Sequence, residues 1–129
     1  MSLLQVPRDP GFKSRLERLI KLAINRYNRY RAPESTAKIE KIEGSIVRVR
    51  FEGSFCETCG INDWVDDFRY VLEDLGAEAD LVAIIEPEDY FNEDWRIGVY
   101  RVKKIPEDLE RIEREERELE EFFSSEDQD

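Results

Sequence analysis

The chain has no histidine, a single methionine, two cysteines, and glutamine only at positions 5 and 128. Lack of histidine removes the usual neutral-pH proton carrier and the commonest metal ligand, so Ser-His-Asp triads, His-liganded zinc and HExxH chemistry are excluded. No apolar run approaches the roughly 18–20 residues needed to cross a bilayer. The opening MSLLQVPRDP has no basic stretch followed by an apolar core. No secretory signal is read there, and a cytoplasmic location is expected.

Charge is what the sequence has in abundance. The 129 residues include 20 Lys+Arg against 31 Asp+Glu, a formal charge of −11, while 40% of the chain is hydrophobic. That apolar share builds one core in a chain of this length and is too high for a disordered polypeptide. Scarce Gln and heavy Glu usage resemble the proteins of hot-living organisms. Such organisms keep disulfides inside the cell, so the redox state of the two cysteines stays open.

The charge is unevenly placed. Residues 1–31 carry a net +6 and residues 32–129 a net −17. Within the basic segment Phe12, Leu16, Leu19, Ile20, Ala23, Ile24, Tyr27 and Tyr30 recur at three- and four-residue spacing, which predicts an amphipathic helix over 11–31 ended by Pro33. Val47, Val49 and Phe51 alternate in a strand over 45–51, and Glu43-Gly44 turns it back on a strand near 38–42. Ile61, Trp64, Val65, Phe68, Val71, Leu72 and Leu75 mark a second helix, with Gly76 as its stop. Leu81–Ile85 and Ile97–Val102 read as a second hairpin across an acidic loop, and a last helix is expected over 106–123. The order α-ββ-α-ββ-α predicts an α+β fold, a single sheet of two β-hairpins covered by helices. One domain is expected over 1–123, with 124–129 as a disordered acidic tail.

Cys56-Glu57-Thr58-Cys59, between a strand and a helix, is the one motif with chemical content. Two thiols at this spacing can close a disulfide, share a metal or supply two sulfurs to an iron–sulfur cluster. The helix N-terminus that follows favours thiolates, and the acidic neighbours Glu52, Glu57, Asp63, Asp66 and Asp67 disfavour them. A structural disulfide closing so short a loop contributes only about 2 kcal/mol through loop-closure entropy. The three chemistries remain open.

Val49-Arg50-Phe51-Glu52-Gly53-Ser54-Phe55-Cys56-Glu57-Thr58-Cys59 locally resembles a thioredoxin active site, with Ile105-Pro106 in the place of the proline that faces its dithiol. That resemblance implies a dithiol oxidoreductase. Residues 11–86 are similar in layout to the NifU C-terminal, or Nfu-type, iron–sulfur scaffold domain: an N-terminal helix, a hairpin, a Gly-containing CxxC turn and a second helix. It implies that Cys56 and Cys59 of two subunits hold one cluster between them. The sequence departs from that pattern in Phe55, in Gly60-Ile61-Asn62-Asp63 after the second cysteine, and in residues 87–129, which have no counterpart there.

Because two cysteines are half of a Cys₄ set, an iron–sulfur cluster or zinc would be shared across a homodimer. The apolar stripe Leu109, Ile112, Leu119 and Phe123 offers a further surface for the dimer or for a protein client. Asp63, Asp66 and Asp67 read as acids complementing a helix dipole in preference to a cation site. The basic helix, with Arg15, Arg18, Lys21, Arg26, Arg29 and Arg31, has two readings. It binds nucleic-acid phosphates, or it pairs with the acidic C-terminal helix, and the second is preferred because the −17 remainder repels polyanions. A non-catalytic interaction or nucleic-acid-binding module with a structural disulfide is therefore the third class, beside a metal carrier and an oxidoreductase.

Overall fold

The backbone is built from helices that cover one side of a sheet. The structure, a computed structural model, describes residues 11–31, 35–53, 61–88 and 95–127, of which 61–63 and 123–127 are described by backbone alone. The elements are α1 (Phe12–Arg31), β1 (Thr36–Glu43), β2 (Ile46–Glu52), α2 (Ile61–Asp74), β3 (Glu78–Ile85), β4 (Trp95–Lys104) and α3 (Leu109–Asp127). This is the expected α-ββ-α-ββ-α order, and the four strands form one antiparallel sheet in the order β1-β2-β4-β3. β2 and β4 are therefore the central strands. β4 comes from the part of the chain that has no counterpart in the Nfu-type layout.

Strand alternation decides which side is covered. Val47, Val49 and Phe51 of β2 lie opposite Tyr100, Gly98 and Arg96 of β4, and all six are buried beneath α1 and α2. Four rings form the centre. Tyr27–Phe51, Phe51–Phe68 and Phe68–Tyr100 stand 5.2, 5.9 and 5.2 Å apart between centroids in tilted or edge-on pairs, the arrangement favoured by aromatic quadrupoles. Each buried hydroxyl has a partner. Tyr100 donates to the Val65 carbonyl at 2.6 Å, and Tyr27 donates to the Trp64 carbonyl at 3.3 Å while Ser35 lies 2.8 Å from its oxygen. Asn28 meets both backbone groups of Ala37, donating to its carbonyl at 3.1 Å and accepting from its N–H at 2.7 Å, which fastens α1 to the edge strand.

The helix ends follow local chemistry. Gly76, at φ 96°, closes α2: its N–H bonds the Glu73 carbonyl at 2.9 Å and the Ala77 N–H bonds the Leu72 carbonyl at 3.0 Å, the paired bonds of a Schellman end. Two expectations for the last helix are corrected. It starts at Leu109, not at Pro106: the Ile112 N–H bonds the Asp108 carbonyl at 3.1 Å, so Asp108 stands at the N-cap, where a short acidic residue is favoured. It ends at Asp127, not at 123, because Ser124-Ser125-Glu126 includes no Gly or Pro to stop it.

Gly98 is fixed by packing. A Cβ built there would stand 2.7 Å from both the Tyr100 ring and Val65 Cγ1, closer than atoms of a packed core approach. Gly98→Ala is therefore expected to lower unfolding free energy by about 1–3 kcal/mol in a denaturant titration, the usual cost of overpacking. Burial also lifts the Tyr27 hydroxyl from 10.0 to about 12 and Tyr100 in the same direction. The folded state thus holds these protons after the unfolded chain releases them. Stability is expected to fall as pH climbs from 10 towards 12, and Tyr27→Phe should flatten that decline.

Candidate functional site

Cys56 and Cys59 lie outside the described residues, so the site is approached from what surrounds their place in the chain. The segment holding them joins the end of central strand β2 to the start of α2. In register with that end of β2 are Trp95, opposite Glu52, and Arg96, opposite Phe51. Arg96 is in phase with Gly98, Tyr100 and Val102, so its side chain enters the helix-covered side, where only 5% of the residue is exposed. Among the described residues its one hydrogen bond is a 2.7 Å donation from Nη1 to the Trp95 carbonyl, and its Nε has no acceptor. A guanidinium cannot shed its proton, so burial there requires compensating negative charge. On the outer side Arg50 stacks 4.8 Å from the Trp95 ring centre and donates from Nε to Glu52 at 2.5 Å.

Arg96 was missed in the sequence because the second strand of the second hairpin was read as starting at Ile97. Carrying the alternation of Tyr100 and Val102 back by two steps places it inward, and a lone cation at an inward position was the available signal.

The remaining sequence candidates are tied into ion pairs. Arg31 pairs with Asp67, while Arg69 holds Asp66 at 2.8 Å and Glu73 at 3.0 Å. The Asp63 side chain lies outside the described residues. Among the described residues no group of three metal-ligating side chains occurs. In the acidic loop, 89–94 are likewise outside them.

The basic helix pairs with α3, as preferred from its charge. Arg18 forks onto Glu113 with bonds of 2.9 and 2.5 Å, which holds the Glu113 carboxyl below its ordinary range. Deeper in, Glu116 is 2% exposed and receives Arg26 at 2.5 Å and Arg29 at 3.3 Å. Arg15 donates to the Pro106 carbonyl at 3.1 Å. Arg26 and Arg29, two of the six basic residues considered for phosphate binding, are thus spent on an internal carboxylate.

No match to this chain was found among protein families, curated proteins or solved structures. Its chemistry is therefore read from its own residues.

The Glu116 cluster makes a sharp contrast with its neighbour. Glu116→Gln leaves two guanidiniums without their carboxylate and is expected to cost about 3 kcal/mol in unfolding free energy. Glu113→Gln, at a solvent-exposed pair, should cost below about 1 kcal/mol. Chemical denaturation of both variants checks the order.

Proposed function

We propose that this protein is a non-enzymatic carrier in which Cys56 and Cys59 bind a soft metal or an iron–sulfur cluster as cargo, shared between two copies of the chain. The observation that carries this reading is Arg96, a buried guanidinium at the end of β4, in register with the last turn of strand before the CxxC segment. A thiolate pair loaded with iron and sulfide is an anion, and a buried cation at the end of the sheet from which the CxxC segment leaves β2 favours it over the protonated thiols. The acids of this region weigh less against it than their number suggests, since Asp66, Asp67 and Glu52 are paired with Arg69, Arg31 and Arg50. The donor set fits the cargo in kind and only half in number. Sulfur ligands suit iron–sulfur clusters and zinc, and two per chain with no histidine require a second chain to complete four.

A carrier needs no acid–base machinery, in keeping with a chain without histidine. Its own residues bind the cargo through Cys56 and Cys59, balance its charge through Arg96, and release it to a protein client. The thioredoxin-type alternative draws on the same cation, since a thiolate is also the attacking species in disulfide exchange, and cluster binding is what separates the two.

Reconstitution with iron and sulfide under anaerobic conditions tests the reading. The expected result is a broad absorption in the blue, one cluster per two chains, a dimer by light scattering, and loss of colour in Cys56→Ser and Cys59→Ser. Arg96→Gln, with its fold checked by circular dichroism, should retain the cluster more weakly, with release to a chelator about tenfold faster. A colourless, metal-free monomer under all these conditions would overturn the proposal.

A further inference from the structure

The side of the sheet away from the helices has a charge pattern that the fold does not need. Along β1 and β2, Lys38 lies directly opposite Arg50 and Lys41 directly opposite Arg48. These are two adjacent cross-strand pairs of like charge on one face. A register shift between Ile39 and Lys41 keeps them together: without it Lys41 would fall out of phase with Lys38 and turn inward. Like charges in direct opposition destabilise a sheet, so this arrangement costs stability wherever no anion is present. Arg50 and Lys41 have acids nearby, Glu52 at 2.5 Å and Glu43 at 3.5 Å. Among the described residues neither Lys38 nor Arg48 has an ion pair, and both are exposed.

Beside the cations the face carries apolar side chains, of which Trp95, Val99 and Ile85 are half-buried and Ile97 is buried. Arg48 stands opposite Val99 and Arg50 opposite Ile97, which continues to Ile85 across the next strand pair, and Trp95 closes the end under the Arg50 guanidinium. Two cavities among the described residues lie elsewhere, one lined by α1, α3 and the end of α2 and one between α1 and α2. A folded protein partner draws affinity from side chains seated in pockets, whereas bases of a single strand lie flat on apolar and aromatic surface while their phosphates meet cations.

The net charge of −11 does not oppose this. α3, with most of its carboxylates on Glu residues, packs against α1 on the helical side. α3 therefore lies on the helix-covered side of the sheet, and surface charges are screened over about 8 Å at physiological salt. The acids of α3 are thus directed away from this surface, while Glu43 and Glu52, which stand on it, are paired with Lys41 and Arg50.

We infer that the open face of the sheet binds single-stranded nucleic acid, with Lys38, Lys41 and Arg48 on the phosphates and the Trp95–Arg50 end as the stacking surface. This is independent of cargo at the cysteines, and binding is expected in the same measure with Cys56→Ser/Cys59→Ser. The test is fluorescence anisotropy of the full chain with labelled oligo-dT and oligo-U strands and with a duplex of equal length. The parent is expected to bind the single strands in preference to the duplex, with a slope of log K against log salt of about −2, from three phosphate contacts. Lys38→Gln/Arg48→Gln should weaken binding at least tenfold and flatten the slope, with thermal unfolding confirming a folded chain. Lys13→Gln/Lys21→Gln, on exposed positions of α1, should leave it unchanged. Absence of binding at low salt, tighter binding of the duplex, equal displacement by polyglutamate, or loss through Lys13 and Lys21 instead would each overturn the inference.

Discussion

The placement of α3 on the helical side hangs on one buried carboxylate. Glu116 is 2% exposed and meets Arg26 and Arg29 of α1 at 2.5 and 3.3 Å. Only α3 supplies that charge, so the helix that ends the chain is held in place by the helix that begins the described structure. Burying these charges is not a cheap source of stability, since an apolar pair of similar size often does as well. What the cluster supplies is position. An apolar stripe alone would let α3 slide along α1, whereas a single carboxylate facing two guanidiniums fixes its register. The apolar contacts are accordingly few: Leu109 is buried and Ile112 packs against the core, while Leu119 and Phe122 are 38% and 57% exposed.

That constraint also partitions the charge of the molecule. α1 spends its arginines on α3 and α2, through Glu113, Glu116 and Asp67. A helix that looks like a polyanion-binding surface in the sequence therefore becomes an internal seam. Lys38 and Arg48, which have no ion pair among the described residues, stand on the opposite side of the sheet, and the buried guanidinium of Arg96 stands at its end. Both are costs to folding that a ligand would relieve, and it is on these that the functional readings rest.

The fold was largely legible because its elements carry clean periods. Leu16, Leu19, Ile20 and Ala23 in α1, and Val47, Val49 and Phe51 in β2, alternate with charge so regularly that face and element type follow together. Gly76 marked the end of α2 for a reason visible in one residue. The strand order was not legible, since β2 pairing with β4 joins segments separated by a whole helix and strand and no local period records it. Glu116 breaks the apolar stripe of α3 in the sequence, yet in the structure it is a buried member of it. A carboxylate inside an apolar stripe looks like an error until its partners, some 90 residues away, are known. Of the site, the cysteine spacing was legible and its surroundings were not, because Arg96 acquires meaning only through burial.

The central claim is that Glu116 locks α3 onto α1, and native-state hydrogen exchange tests it most directly. Amides of residues 112–118 should exchange far more slowly than those of 120–127. In Glu116→Gln that protection should fall towards the level of the helix end while the strands β2 and β4 keep theirs. Protection of 112–118 that is unchanged by Glu116→Gln, or that is absent in the parent protein, would contradict the account.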